Sequence, residues 1–349
     1  MNNYLNKILK NFPEYIPGEQ PQDKKYIKLN TNENPYPPSP KVLGFLQDAI
    51  TRRLRLYPDP LCNELRKKLS ECYNIPKEQI FVGNGSDELL RLAFYTFSNR
   101  NEKIVYSFPS YTLFKTLSVL CYCQPIEIEL TEEFLLSDKF ISSNRNSLKI
   151  IANPNSPTGT FNEIDFIEEV VKANKKVVII DEAYADFAKD NCLRLLKKYK
   201  NLIITRTFSK SFSLASIRVG YCFGDKKLID ALYKIKDSYN VNYLSQVAAI
   251  AAIEDYQYMK ETSQKIIELR EYLSNELLKI NFKVYKSEAN FVFVKPLKIK
   301  ARSIYQTLKE RGILIRYFDA PFLNKYLRIS IGTDEEINKL ISELKKICE

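Results

Sequence analysis

The spacing of hydrophobic positions changes along this chain, and the changes divide it. Between about residues 79 and 223, short apolar runs alternate with stretches whose apolar residues recur at helical spacing: "QIFVGNGSDELLRLAFYTF", "KIVYSFPSY", "LKIIANPNSPTGT", "IDFIEEVVKANKKVVIIDEAYADF" and "NLIITRTFSKSF". Repetition of strand, loop and helix predicts a mainly parallel sheet with helices on both faces. Farther on come a long amphipathic helix near 257–280, strands within "FKVYKSEANFVFVKP", a helix in "ARSIYQTLKERG", strands "ILIRYF" and "LRISIG", and a closing helix "DEEINKLISELKKIC". That succession predicts a smaller α+β domain. The first 40 residues, with "FPEYIPGEQP" and "NPYPPSP", are proline-rich and predict an irregular arm. The expected fold class is α/β. The arm and part of the small domain take 1–39, a large ligand-binding domain 40–245 and a small C-terminal domain 246–349.

Composition then restricts the chemistry. The 349 residues include no histidine, which removes the usual general base, the Ser-His-Asp and Cys-His arrangements and the commonest zinc ligand. An enzyme of this composition moves protons with lysine, a carboxylate, tyrosine or a cofactor, and no metal site is expected. Seven cysteines, an odd number without a C-x-x-C pair, suit a reducing compartment. The longest nearly uncharged stretch, Val241 to Ile253, is too short to span a bilayer, and the N-terminus lacks the order of a secretory signal. The expectation is a cytoplasmic protein without a membrane partner. The net charge of +11 is spread over short groups such as "RKKL", "KANKK" and "LKKYK", which read as solvated helix faces. Nucleic-acid binding needs charge gathered on one face, so anionic small substrates are the expected use of this field.

Each polar motif follows directly on an apolar run. That places it at the carboxyl end of a strand, where open α/β sheets bind ligands. In "LIITRTFSKSFSLASIRVGY" the strand ends near Lys210, and in "KKVVIIDEAY" another ends at Asp181. Parallel strand ends converge, so the two face one cavity. A dry lysine forms imines with aldehydes, and a buried aspartate calls for a cation such as a protonated pyridine nitrogen. Asp181 also reads as a helix N-cap, a plainer role. Tyr184 presents a phenol to the same ligand. "VGNGSDELL" brings two glycines and then Ser86 and Asp87 opening a helix, whose free amides suit an anion. Ser209, Ser211 and Arg218 add hydroxyls and a guanidinium. One ligand answers all of these demands: pyridoxal phosphate.

The ordered series "NTNENP", "YPDP", "GNGSDELL", "PSYTLF", "NPNSPTGT", "DEAYADF", "TFSKSF", "SIRVGY", "YNVNYLSQ", "GILIRYF" and "LRISIGT", from about Tyr15 to Gly332, resembles the fold-type I pyridoxal-phosphate aminotransferases. Within them it is most similar to the branch acting on histidinol phosphate. The resemblance implies a homodimeric transferase of amino-acid biosynthesis, using glutamate and 2-oxoglutarate. Lys210 would be the Schiff-base lysine and proton shuttle, Asp181 the partner of the pyridine nitrogen, and Tyr184 that of the ring's phenolic oxygen. Tyr111 would stack on the ring. Ser86, Asp87 through its backbone, Ser209 and Arg218 would hold the phosphate, with Tyr57 reaching over from a second subunit. Arg328 would grip the substrate carboxylate, and Arg316, Tyr15 and Asn34 would line the pocket for the substrate's own phosphate, with Asn242 nearby.

Plain roles stand beside these. Tyr57 and Tyr111 also read as rim or core tyrosines, and Arg316 as an edge-strand arginine in water. Ser156 stands where the family usually has asparagine before "PTG", so either Tyr184 alone serves the ring oxygen or Asn155 is turned in. Ser238 replaces a frequent proline before "YNVN". These departures leave open another small phosphorylated amine or ketone, such as serinol phosphate with dihydroxyacetone phosphate, or decarboxylation of a threonine-phosphate-type substrate. A cofactor-fold binding protein without catalysis is the reading from a different class, and the intact Lys210, Asp181, Tyr184 and Arg218 oppose it.

Overall fold

A computed structural model describes residues 26–348 together with Tyr4, Asn6, Ile8, Phe12, Glu19 and Gln20. Its strands form two sheets. The short β1 (Ile27–Leu29) enters the smaller one, and β2 (Ile80–Gly83), β3 (Lys103–Phe108), β4 (Gln124–Glu129), β5 (Leu148–Ala152), β6 (Val178–Asp181), β7 (Leu202–Thr207) and β8 (Gly220–Gly224) make the larger. The larger sheet has the order β2-β8-β7-β6-β5-β3-β4. Strands β3 to β7 pair parallel, while β8 runs antiparallel to both β2 and β7. Every residue of β5, β6 and β7 is buried, the pattern of strands covered on both faces. Their side chains alternate accordingly. Ile179 and Ile203 point to a core shared with α3 (Gly85–Phe97) and α4 (Leu113–Leu120), numbered after α1 (Pro40–Ala49) and α2 (Asn63–Tyr73). Val178, Ile180, Leu202 and Ile204 point to the opposite core, with α5 (Asp138–Ser142) and α6 (Ile164–Ala173).

The smaller sheet orders β1-β11-β12-β10-β9, with β9 (Phe282–Tyr285), β10 (Phe291–Pro296), β11 (Ile313–Tyr317) and β12 (Leu327–Ser330). Only β1 against β11 is parallel. Following α7 (Lys226–Tyr233) and α8 (Tyr243–Glu254), helices α9 (Tyr256–Lys279), α10 (Ala301–Glu310) and α11 (Asp334–Cys348) bury their apolar stripes on it. Helix α8 packs instead with α1 and α2 around Val42, Leu65, Leu69 and Ala248. The first turn of α9 still packs in that core through Met259, and the smaller-sheet core takes up the helix from Ile266, so the change of core falls within α9. Among the described residues no helix is long and apolar enough to cross a membrane.

The register fixes what stands together. Asp181 pairs with Ala152 on one side and with Thr205 on the other, so the ends of β5, β6 and β7 form one rim. Gly83 pairs with Gly220, which brings the start of α3 to the same rim.

Candidate active site

Asp181 closes β6 and is buried. Its Oδ1 accepts a hydrogen bond from Thr205 Oγ1 at 3.1 Å, and the Ala183 backbone N–H also bonds the carboxylate. These bonds do not offset desolvation: burial, with the charge of Asp87 adding to it, pushes the carboxyl up to about 7. Among the described residues no cation forms an ion pair with this carboxylate. It is a strand-end carboxylate and not a helix cap, since the turn after it begins only at Ala185.

Lys210 stands three residues past the end of β7, with Nζ 5.8 Å from the Tyr184 ring centre and 3.5 Å from the carbonyl of Thr31. Its backbone is tied down from two sides. Asn34 Nδ2 donates to the carbonyls of Lys210 and Ser211 at 3.0 and 3.1 Å, and the Ser211 hydroxyl bonds Asp186. Asp186 pairs in turn with Arg206 at 3.5 Å, and Arg206 with Glu182 at 2.8 Å. This buried ion network makes a rigid floor beneath the lysine.

An anion cradle lies at the other end. Gly85 begins α3 with φ +78°, and a Cβ there would stand 2.7 Å from Arg218 Nη2. A Cβ on Gly220 would stand 2.6 Å from Ser86 N. Both glycines allow an approach no other residue permits. The N-cap of α3, Asn84, makes no side-chain bond to the first turn, so the amides near Ser86 and Asp87 stay open to a ligand. Arg218 Nη1 donates to Ser209 Oγ at 3.2 Å, and its Nη2 meets Asp87 Oδ2 at 3.2 Å. Asp87 also accepts from the Tyr111 hydroxyl at 3.0 Å. So Asp87 orients two site groups with its side chain, beyond the backbone role expected of it. A buried carboxylate without an ion pair among the described residues, and an open helix start flanked by a guanidinium and a hydroxyl, fit a protonated pyridine ring bearing a phosphate.

The smaller sheet brings two arginines towards the same segment, Arg328 meeting the Asn30 carbonyl and Lys210 that of Thr31. Arg316 of β11 and Arg328 of β12 are direct cross-strand partners, and both guanidinium groups lie near the Phe318 ring, at 5.3 and 5.7 Å. Like charges facing each other across a ladder destabilise it. Arg328 Nη2 donates to the Asn30 carbonyl at 2.9 Å and Nη1 to Ser156 Oγ at 3.4 Å, while its Nε is sealed in without a partner. Among the described residues no carboxylate pairs with Arg328. Burial, with Arg316 adding repulsion, lowers it to about 10.

The remaining expected residues are placed differently. Asn155 is consumed by its own loop: it donates to Pro109 O at 3.0 Å and Thr158 Oγ1 at 2.8 Å, and accepts from Ser110. Ser156 Oγ accepts from Arg328 Nη1 at 3.4 Å. Asn34 holds the Lys210 backbone. Asn242 is exposed and caps α8 through the Ser245 N–H. It lies three residues from Tyr239, on whose ring Tyr57 stacks at 4.3 Å. Tyr15 lies outside the described residues. Thr205 and Asn32 were not anticipated. Asn32 sits inside "NTNENP", two residues before Asn34, and it donates to the Tyr184 hydroxyl at 2.9 Å.

Residues 24–344 match the family described as aminotransferase class I and II. The histidinol-phosphate aminotransferase of Brachyspira hyodysenteriae is 45% identical over 354 residues, which span 100% of both chains. That of Clostridium botulinum strain Langeland is 44% identical over 351 residues, 99% of each chain. The crystal structure of histidinol-phosphate aminotransferase from Sinorhizobium meliloti, in complex with pyridoxal-5'-phosphate, covers 100% of this chain and 98% of its own. It superposes with a TM-score of 0.90 at 24% identity, a likeness of fold.

Proposed function

This chain belongs to the class I and II aminotransferases, and from that premise we propose that it moves an amino group between histidinol phosphate and 2-oxoglutarate. Pyridoxal phosphate is the cofactor. The observation that carries the substrate reading is the facing pair Arg316 and Arg328, two guanidinium groups on adjacent strands, with Arg328 bound to the carbonyl of Asn30 next to the Thr31 carbonyl that Lys210 meets. Their mutual repulsion is relieved by an anionic substrate: Arg328 takes the glutamate α-carboxylate, and Arg316 takes the phosphate or the second carboxylate. The relatives named above, alike over their whole length, support the same substrate.

When bound, pyridoxal phosphate supplies an aldehyde for the amine and a ring that accepts the electron pair left on carbon. Asp181 holds the ring nitrogen in its protonated form, and Arg218, Ser209 and the start of α3 hold the phosphate. Lys210 Nζ accepts the proton leaving the amine-bearing carbon. Arg328 and Arg316 orient the substrate so that this proton faces the lysine.

The test is to give the cofactor-loaded protein histidinol phosphate, serinol phosphate or phosphothreonine, each with 2-oxoglutarate, and to analyse products. Glutamate and a keto product from histidinol phosphate, without carbon dioxide, are expected, and Arg316→Ala raises KM for that substrate tenfold or more, on the order of a lost charged hydrogen bond. Conversion of another phosphorylated amine alone reassigns the substrate. Carbon dioxide release from phosphothreonine reassigns the reaction.

The same reading makes the active unit a homodimer. Leu43, Ile50, Leu54, Leu56 and Leu61 are exposed around Tyr57, itself 80% exposed, and an apolar face of this kind suits a second copy. Specific activity falls on dilution and returns on concentration; a fully active monomer removes the role given to Tyr57. All seven cysteines are free, which supports a reducing, cytoplasmic setting.

A further inference from the structure

Three consecutive residues after β1 touch three functional groups. The Asn30 carbonyl accepts from Arg328 at 2.9 Å, the Thr31 carbonyl from Lys210 at 3.5 Å, and Asn32 Nδ2 donates to the Tyr184 hydroxyl at 2.9 Å. Asn32 is buried and holds a left-handed backbone, φ +56°. Each of its polar groups is engaged. Its N–H donates to Ser330 Oγ at 2.9 Å, its carbonyl accepts from Asn290 Nδ2 at 3.0 Å, and its Oδ1 accepts from Ser330 Oγ at 3.1 Å.

Ser330 Oγ accepts the Asn32 N–H and donates its proton to Asn32 Oδ1, and the Nδ2 end of the amide is turned to Tyr184. An amide nitrogen only donates, hence Tyr184 accepts here and its own proton is left for another acceptor. Lys210, above the ring at 5.8 Å, offers none while it is charged. Asn155 is bound within its loop and Ser156 is taken by Arg328. Tyr184 is thus the phenol left to serve the cofactor's ring oxygen.

We propose that Asn32 is a positioning residue that commits the Tyr184 proton to the cofactor, and that it ties this bond to the strand carrying Arg328. The inference rests on the cofactor reading above. Accepting an amide N–H also makes the phenol a stronger donor. A donor aimed at an anionic oxygen favours the unprotonated chromophore, so Asn32 lowers the pH at which the loaded protein changes absorbance.

The test is an absorbance titration of the loaded protein. Asn32→Gly suits the left-handed backbone and removes the amide without adding charge. Asn32→Asp keeps the shape and replaces the donor by an acceptor that draws the Tyr184 proton away. The midpoint is expected to rise in both, more in Asn32→Asp, by roughly one pH unit there. In a Tyr184→Phe background neither substitution moves it further. Unmoved midpoints, or equal shifts with and without the Tyr184 hydroxyl, overturn the proposal. If one variant does not fold, the other carries the same comparison. A wild-type protein that takes up no cofactor overturns the cofactor reading and this inference together, whereas normal uptake with an unmoved midpoint overturns this inference alone.

Discussion

Lys210→Ala lowers turnover by at least about 10²–10⁴-fold, the contribution of a positioned proton-transfer group alone. The loss is larger if the amine also acts covalently. It should come with almost no loss of stability. The Lys210 side chain makes one long hydrogen bond, 3.5 Å to the Thr31 carbonyl, and its backbone is held independently by Asn34. Single-turnover kinetics with histidinol phosphate and 2-oxoglutarate, beside a thermal melt, check both halves. A variant that keeps turnover within tenfold of wild type sinks the role assigned to Lys210 and revives the non-catalytic binding reading.

Asp181→Asn is expected to divide stability from activity. In the cofactor-free protein burial pushes the Asp181 carboxyl up to about 7, against about 3.9 for an exposed aspartate in the unfolded chain. Between those values the folded state binds the proton more tightly than the unfolded one. The stability it contributes is therefore present below about pH 4 and is lost as pH rises towards 7, on the order of 4 kcal/mol for an upward shift of this size. Asparagine has nothing to ionise. The cofactor-free variant should melt above wild type at pH 8, with the difference shrinking to nothing near pH 4. Its turnover should fall by about 10²–10⁴-fold, because the ring nitrogen loses its buried counter-charge, a change of about 3–5 kcal/mol. Melting curves at the two pH values and steady-state rates decide it. Wild-type turnover, or a melt no higher at pH 8, counts against Asp181 as a buried, unpaired carboxylate awaiting a cation.

Much of this site was legible in the chain itself. A β-rich run that ends in a polar motif, repeated down a strand-and-helix series, sends each motif to the same rim of a parallel sheet. Asp181 and Lys210 could therefore be expected at neighbouring strand ends across 29 residues of sequence without coordinates, and the register of β6 with β7 sets Asp181 beside Thr205. Other assignments needed contacts that no local pattern encodes. Helix α8, "YLSQVAAIAAIE", is apolar on nearly every side, so no stripe told which core it joins. The expected boundary at 245/246 runs through this helix, whose core extends to Met259 of α9 before the smaller-sheet core takes over at Ile266. Neighbouring asparagines in "NTNENP" look alike in sequence, yet Asn32 reaches Tyr184 and Asn34 reaches the Lys210 backbone.

What the sequence determined by itself was the set of chemical groups and the edge they share: a lysine, a carboxylate, a phenol and an anion cradle at strand ends, in a chain without histidine. These follow from local period and residue type, which act over a few residues. Tertiary structure decided which way each group points and what it is bound to. The three-residue β1 joins a sheet whose other strands lie more than 250 residues away. Only that pairing carries Asn30, Thr31 and Asn32 to Arg328, Lys210 and Tyr184. Hydrogen-bond direction depends on partners brought in from distant strands, and such partners exist only once the two sheets have packed.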